Sequence, residues 1–123
     1  MAKIFVVDDE IGALTLIGIM LERGGFEVMK AQHAQEALEM LENEKPDLFI
    51  LDVMMPDVNG IELCKMIKER DDTKEIPVLI LSARGDSKSV IQGIEAGAAD
   101  YLLKPIFHNN LVEKVRSVLG IKT

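Results

Sequence analysis

The sequence predicts an α/β protein built on a doubly wound, five-stranded parallel sheet with helices on both faces, and three observations carry that reading. Short apolar runs alternate with longer segments of helical period along the chain, as strands and helices do when they take turns around a sheet. Three of the runs are uninterrupted, the pattern of strands covered on both faces. Turn and stop residues separate the segments at the lengths of five βα units.

Each element can be justified in order. Ile4 to Val7 is the first strand, and the helix after it ends at Gly24-Gly25. Phe26 to Met29 is the second strand. Ala34, Ala37, Leu38 and Leu41 recur at helical spacing for helix two, which Pro46-Asp47 separates from the third strand, Leu48 to Leu51. Val78 to Leu81 is the fourth strand, and Gly97 closes the helix behind it. Tyr101 to Leu103 is a weaker fifth strand. Leu111, Val112, Val115, Val118 and Leu119 give the last helix its apolar face before Gly120. Right-handed crossovers in such an open sheet give the strand order 2-1-3-4-5, flavodoxin-like, with any site beyond the carboxyl ends of the strands. No repeat, linker or low-complexity tract divides residues 1–123, so one domain is expected, with no effector domain in this chain.

Composition narrows the function classes. The 123 residues suit one core, and 48% hydrophobic with 28% charged residues is ordinary for a folded domain. A formal charge of −7 opposes phosphate backbones and anionic headgroups, which speaks against direct nucleic-acid or membrane binding by bulk electrostatics. Cys64 is the single cysteine and lies among Leu63, Met66 and Ile67. It reads as a small buried hydrophobe in a reducing, cytoplasmic setting. The longest apolar stretch, Ile11 to Leu21, is interrupted by Thr15 and is shorter than the ~20 residues of a membrane span.

In a parallel sheet the residues just after the strands converge on one edge, and here they are Asp8 and Asp9, Asp52, Ser82 and Lys104. Clustered carboxylates resist ionisation unless a cation neutralises them. Oxygen-only ligands point to magnesium, with manganese as the alternative, and not to zinc. Taken singly, Asp8-Asp9 reads equally well as a helix cap, Asp52 as a turn residue before Met54-Met55-Pro56, and Ser82 as a cap hydroxyl. Lys104, held before Pro105 with its ammonium free to reach an anion, makes the set more than a coincidence.

Four segments together resemble the signatures of response-regulator receiver domains: Val6-Val7-Asp8-Asp9-Glu10, the run Leu51 to Gly60, Leu81-Ser82-Ala83, and the run Gly97 to Pro105. The resemblance spans the chain. It implies a two-component signalling domain in which Asp52 accepts a phosphoryl group from a sensor histidine kinase or a phosphotransfer protein. It implies that Asp9, Asp52 and the Met54 backbone carbonyl hold magnesium with Asp8 assisting, and that Ser82, the Ala83 amide and Lys104 bind the phosphoryl group. It implies a switch in which Tyr101 turns inward behind Ser82 and reshapes the surface that a downstream target or effector domain meets. Such a domain is a signalling acceptor and not an enzyme in its own right.

Three further expectations follow. Met54 and Arg84 stand where side chains govern water access to the phosphoryl group, so slow to moderate self-dephosphorylation is expected. Ala13, Leu16, Ile19 and Met20 offer an apolar outer face on helix one, expected to dock the kinase. Asp100 and Lys114 form a partial match to charges that pair when receivers dimerise, which leaves a phosphorylation-promoted homodimer open beside a monomer. His33 and His108 stand alone and read as surface or capping residues, and Arg84-Gly85-Asp86 as loop and cap. A dehalogenase-like phosphatase would need a second aspartate where Met54 stands, and a flavin carrier would need a phosphate-cradling loop where Asp8-Asp9-Glu10 stands. The remaining rival is a phosphorylation-independent interaction module of the same fold.

Overall fold

The structure, a computed structural model, describes residues 1–121. The expected domain boundary at Thr123 lies outside the described residues. The chain alternates β1 (Lys3–Val7), α1 (Ile11–Arg23), β2 (Glu27–Ala31), α2 (Ala34–Met40), β3 (Leu48–Leu51), α3 (Gly60–Glu69), β4 (Val78–Ser82), α4 (Ser87–Glu95), β5 (Asp100–Leu103) and α5 (His108–Leu119). All five strands are parallel, in the order β2-β1-β3-β4-β5. The expected fold class and strand order are both present.

Alternation along the strands divides the interior into two layers. Phe5, Val7, Phe49, Leu51, Val78 and Ile80 face α2, α3 and α4. Ile4, Val6, Leu48, Ile50, Leu79 and Leu81 face α1 and α5. Phe5 and Phe49 stack across neighbouring strands with ring centroids 5.8 Å apart. Each such fully buried side chain contributes about 1.5–3 kcal/mol, so the three central strands anchor the edge on which the site stands.

The second strand differs from its expected bounds. Phe26 belongs to the turn, its amide donating to the Leu21 carbonyl, while Gly25 adopts φ +92° and the strand runs on to Ala31. As an edge strand it keeps Glu27 and Lys30 exposed, so its apolar run ends before its hydrogen bonding does. Helix two stops at Met40, and Leu41, its C-cap, remains fully buried. Cys64 is buried as expected; its thiol donates to the Ala96 carbonyl, and burial pushes its pKa up to about 11. Asp86 caps α4 through the Ser89 amide, the loop-and-cap reading of that tripeptide. His33 is exposed at the start of α2 and makes no side-chain cap. No helix among the described residues is long and apolar enough to cross a membrane.

Candidate functional site

Main-chain hydrogen bonds carry the parallel ladders one residue beyond the strands and fix where the polar side chains begin. The Asp8 amide donates to Ala31, the Asp52 amide to Val7 and the Lys104 amide to Ser82, at 3.1, 3.0 and 2.9 Å. Asp8, Asp52 and Lys104 therefore start from rigid backbone at one edge. The sheet brings one carboxylate oxygen each of Asp8, Asp9 and Asp52 within 4.8 Å of one another. Asp8 and Asp52 are only 1% and 7% exposed.

Among the described residues a single ammonium faces this acidic group. Lys104 Nζ lies 2.7 Å from Asp8 Oδ2 and 3.7 Å from Asp52 Oδ1. The other Asp8 oxygen accepts the Glu10 amide at 3.0 Å, so Asp8 turns back on its own loop and does not cap α1. Burial pushes the Asp52 carboxyl up to about 6, and the neighbouring Asp8 charge pushes the same way. The Lys104 ammonium and the Met54 backbone amide oppose them. Three acids sharing one lysine leave uncompensated negative charge in a low-dielectric corner. Their oxygen-only donors fit a hard divalent cation such as magnesium.

The loop between β3 and α3 folds back tightly over this edge. A Cβ on Gly60 would lie 2.1 Å from the Asp52 carbonyl oxygen, so no side chain fits there. Asn59 caps α3, accepting the Glu62 amide at 2.9 Å while Glu62 accepts the Asn59 amide. Asp57 takes φ +66°, a left-handed conformation unusual outside glycine. Sequence reasoning assigned none of these residues a role, although Asn-Gly followed by Glu62 was a readable capping signal. Met54, on the same loop, is 55% exposed at the mouth of the site.

Ser82 ends β4 fully buried, its Oγ accepting the Arg84 amide at 3.1 Å. The Arg84 carbonyl in turn accepts the hydroxyl of Tyr101, which is half-buried on β5. One residue thus links Ser82 to Tyr101. Ala83 is exposed between them. Asp100 and Lys114 form an ion pair at 2.7 Å within the chain. On α1, Leu16 and Ile19 are exposed and Ala13 half-buried. Met20 is half-buried and packs against the layer beneath α1, so the outer face is narrower than expected. Ala13, Leu16, Met20, Ala83, Lys104 and Pro105 border a groove of about 360 Å³.

A doubly wound parallel sheet with clustered aspartates after β1 and β3, a hydroxyl after β4 and a lysine after β5 defines a receiver domain of two-component signalling. The chain belongs to the response regulator receiver domain family, whose model matches residues 4–116. It is 40% identical over 116 residues to the phosphate regulon transcriptional regulatory protein PhoB of Pseudomonas aeruginosa, covering 94% of this chain and 51% of that protein. It is 41% identical over 117 residues to the alkaline phosphatase synthesis transcriptional regulatory protein PhoP of Bacillus subtilis, covering 95% of this chain and 48% of that protein. The chain therefore spans about half the length of these curated relatives. Among solved structures, the BeF3-activated DrrB receiver domain superposes with a TM-score of 0.88 at 36% identity, covering 98% of each chain.

Proposed function

We propose that this domain accepts a phosphoryl group on Asp52 from the phosphohistidine of a sensor kinase or phosphotransfer protein, and that acceptance alters its α4, β5 and α5 surface toward a downstream target or effector domain. The observation that carries the reading is the Asp52 carboxylate, buried beside Asp8 and Asp9 with the Lys104 ammonium 3.7 Å away. An Asp52 oxygen forms the new O–P bond as the P–N bond to the donor imidazole breaks, and the imidazole nitrogen takes up a proton. Such a transfer depends on position and charge stabilisation more than on covalent chemistry.

Asp9, Asp52 and the Met54 carbonyl would hold magnesium, with Asp8 assisting; when bound, the metal supplies neutralisation of charge on the phosphoryl oxygens. Lys104 moves its ammonium from Asp8 toward the transferred group. The Ser82 hydroxyl and Ala83 amide donate to that group, and this draws the loop after β4 inward. Tyr101 follows through its bond to Arg84. Leu16 and Ile19, with Ala13 at their edge, offer the kinase an apolar face beside the acidic site. The ion pair of Asp100 with Lys114 occupies both groups within one chain, which supports a monomer before phosphorylation.

The test is intact mass after incubation with acetyl phosphate and magnesium, for wild type and Asp52→Asn. A metal-dependent gain of one phosphoryl, absent from the variant, is expected. Wild type that gains nothing under conditions that modify the P. aeruginosa relative's receiver would overturn the proposal in favour of a phosphorylation-independent interaction module.

A further inference from the structure

We propose that Gly93 in α4 is the notch that seats the Tyr101 ring, and that it sets how far Tyr101 can follow the loop after β4 inward; the second half of this statement rests on the phosphoacceptor reading of Asp52. Gly93 is buried in the last turn of a nine-residue helix, inside its C-cap, where glycine is still a poor helix former. Its φ is not positive, so no turn or cap requires it. What explains it is a close approach. A Cβ at this position would lie 2.8 Å from Ile80 Cδ1 and 3.0 and 3.3 Å from Tyr101 Cδ2 and Cε2.

The two neighbours are not equally free to give way. Ile80 is fully buried in a central strand and has nowhere to go. Tyr101 sits half-buried on the edge strand, with solvent on its other side. A methyl group at 93 would therefore press the ring outward by a few tenths of an ångström and loosen the bond from its hydroxyl to the Arg84 carbonyl. That carbonyl belongs to the residue whose amide Ser82 accepts. Filling the notch should cut the path from Ser82 to the surface without touching any group in the acidic site. Gly85 makes a weaker second seat, since a Cβ there would meet Leu103 Cδ2 at 2.9 Å, and the exposed Leu103 side chain can swing aside.

Tyr101 is the only tyrosine and the chain has no tryptophan, so tyrosine fluorescence reports this one ring. Acrylamide quenching would be measured for wild type and Gly93→Ala, each with and without beryllofluoride and magnesium. The variant is expected to keep its far-ultraviolet dichroism and its phosphoryl gain from acetyl phosphate. Its quenching constant should exceed that of wild type and should not fall on adding beryllofluoride, whereas that of wild type should fall. A variant whose quenching matches wild type, or that answers beryllofluoride as wild type does, would overturn the proposal. Wild type that never answers beryllofluoride would count against the Asp52 reading instead, and the ligand-free comparison would still decide the notch. Should Gly93→Ala not fold, Ile80→Val in the same chain removes the 2.8 Å contact and leaves the one to Tyr101; the same readings apply.

Discussion

At the amino ends of the strands, Lys3 donates to Glu44 and lies 4.0 Å from Glu27, while its amide donates to Asp47 at 2.7 Å. Lys45 and Arg70 share Asp72 at 3.4 and 3.0 Å, and Arg70 reaches Glu42 at 3.6 Å. Each cation there has an acid, and most of these side chains keep a third or more of their surface in water. At the carboxyl ends the same sheet puts Asp8 and Asp52 almost wholly out of water and gives Asp8, Asp9 and Asp52 one lysine between them. Exposed pairs of the first kind add little to stability and cost little. Buried like charges oppose folding. A cluster of this kind costs folding free energy that the ion pairs at the other end of the sheet do not, and such local conflicts between charge and burial concentrate at functional sites.

The sharpest way to break this contrast is to alter the backbone that holds the acids. Gly60→Ala puts a methyl group 2.1 Å from the Asp52 carbonyl oxygen, and neither atom is the end of a flexible chain. A loss of at least about 3 kcal/mol is expected in urea unfolding. A loss below about 1 kcal/mol would show that the turn after β3 has slack and that Asp52 is not rigidly held.

Next in size is the effect of removing the charge itself. The Asp52 carboxyl stands at about 6 in the folded protein against an ordinary 3.8. A carboxyl raised on folding favours the native state where it is protonated, and that contribution is lost as pH rises through about 6. Without metal, Asp52→Asn should therefore be more stable than wild type at about pH 8, by up to roughly 3 kcal/mol. The advantage should shrink as pH falls from about 6 toward about 4. Urea midpoints in EDTA would measure it, and added magnesium should stabilise wild type but not the variant. A variant less stable than wild type at pH 8 would mean that Lys104 outweighs burial and the Asp8 charge.

How much of this was legible in the sequence follows from what each feature depends on. Strands β1, β3 and β4 show as unbroken apolar runs because both of their faces are covered. The acidic edge could be read because strand ends in a parallel sheet must meet there. Strand β2 was placed too early because Lys30, exposed on an edge strand, interrupts its pattern. The narrowing of the α1 face at Met20 depends on how the helix packs on the sheet, and the roles of Gly60 and Gly93 depend on close approaches that only the folded chain creates. The bond between Tyr101 and Arg84 joins residues 17 apart in the chain. No periodicity encodes such contacts.

The smallest expected effect lies at the amino end and tests the comparison from its quiet side. Glu44→Gln removes the strongest acceptor of the Lys3 ammonium. That hydrogen bond, with the Glu44, Glu27 and Asp47 charges assisting, holds the Lys3 pKa above its ordinary 10.5 against the opposing effect of desolvation. A lysine raised on folding contributes stability below its unfolded pKa and loses it only as pH rises through the folded value, so between pH 6 and 8 the contribution is constant and there is no slope to find. The ammonium keeps Glu27 at 4.0 Å and water as substitutes, and physiological salt screens what remains. The urea midpoint of Glu44→Gln should match wild type within error across that range, with any difference confined to low salt. A pH-dependent loss comparable to the effect at Asp52 would show that both ends of the sheet carry buried charge, and the acidic edge would no longer be distinguished by its electrostatics.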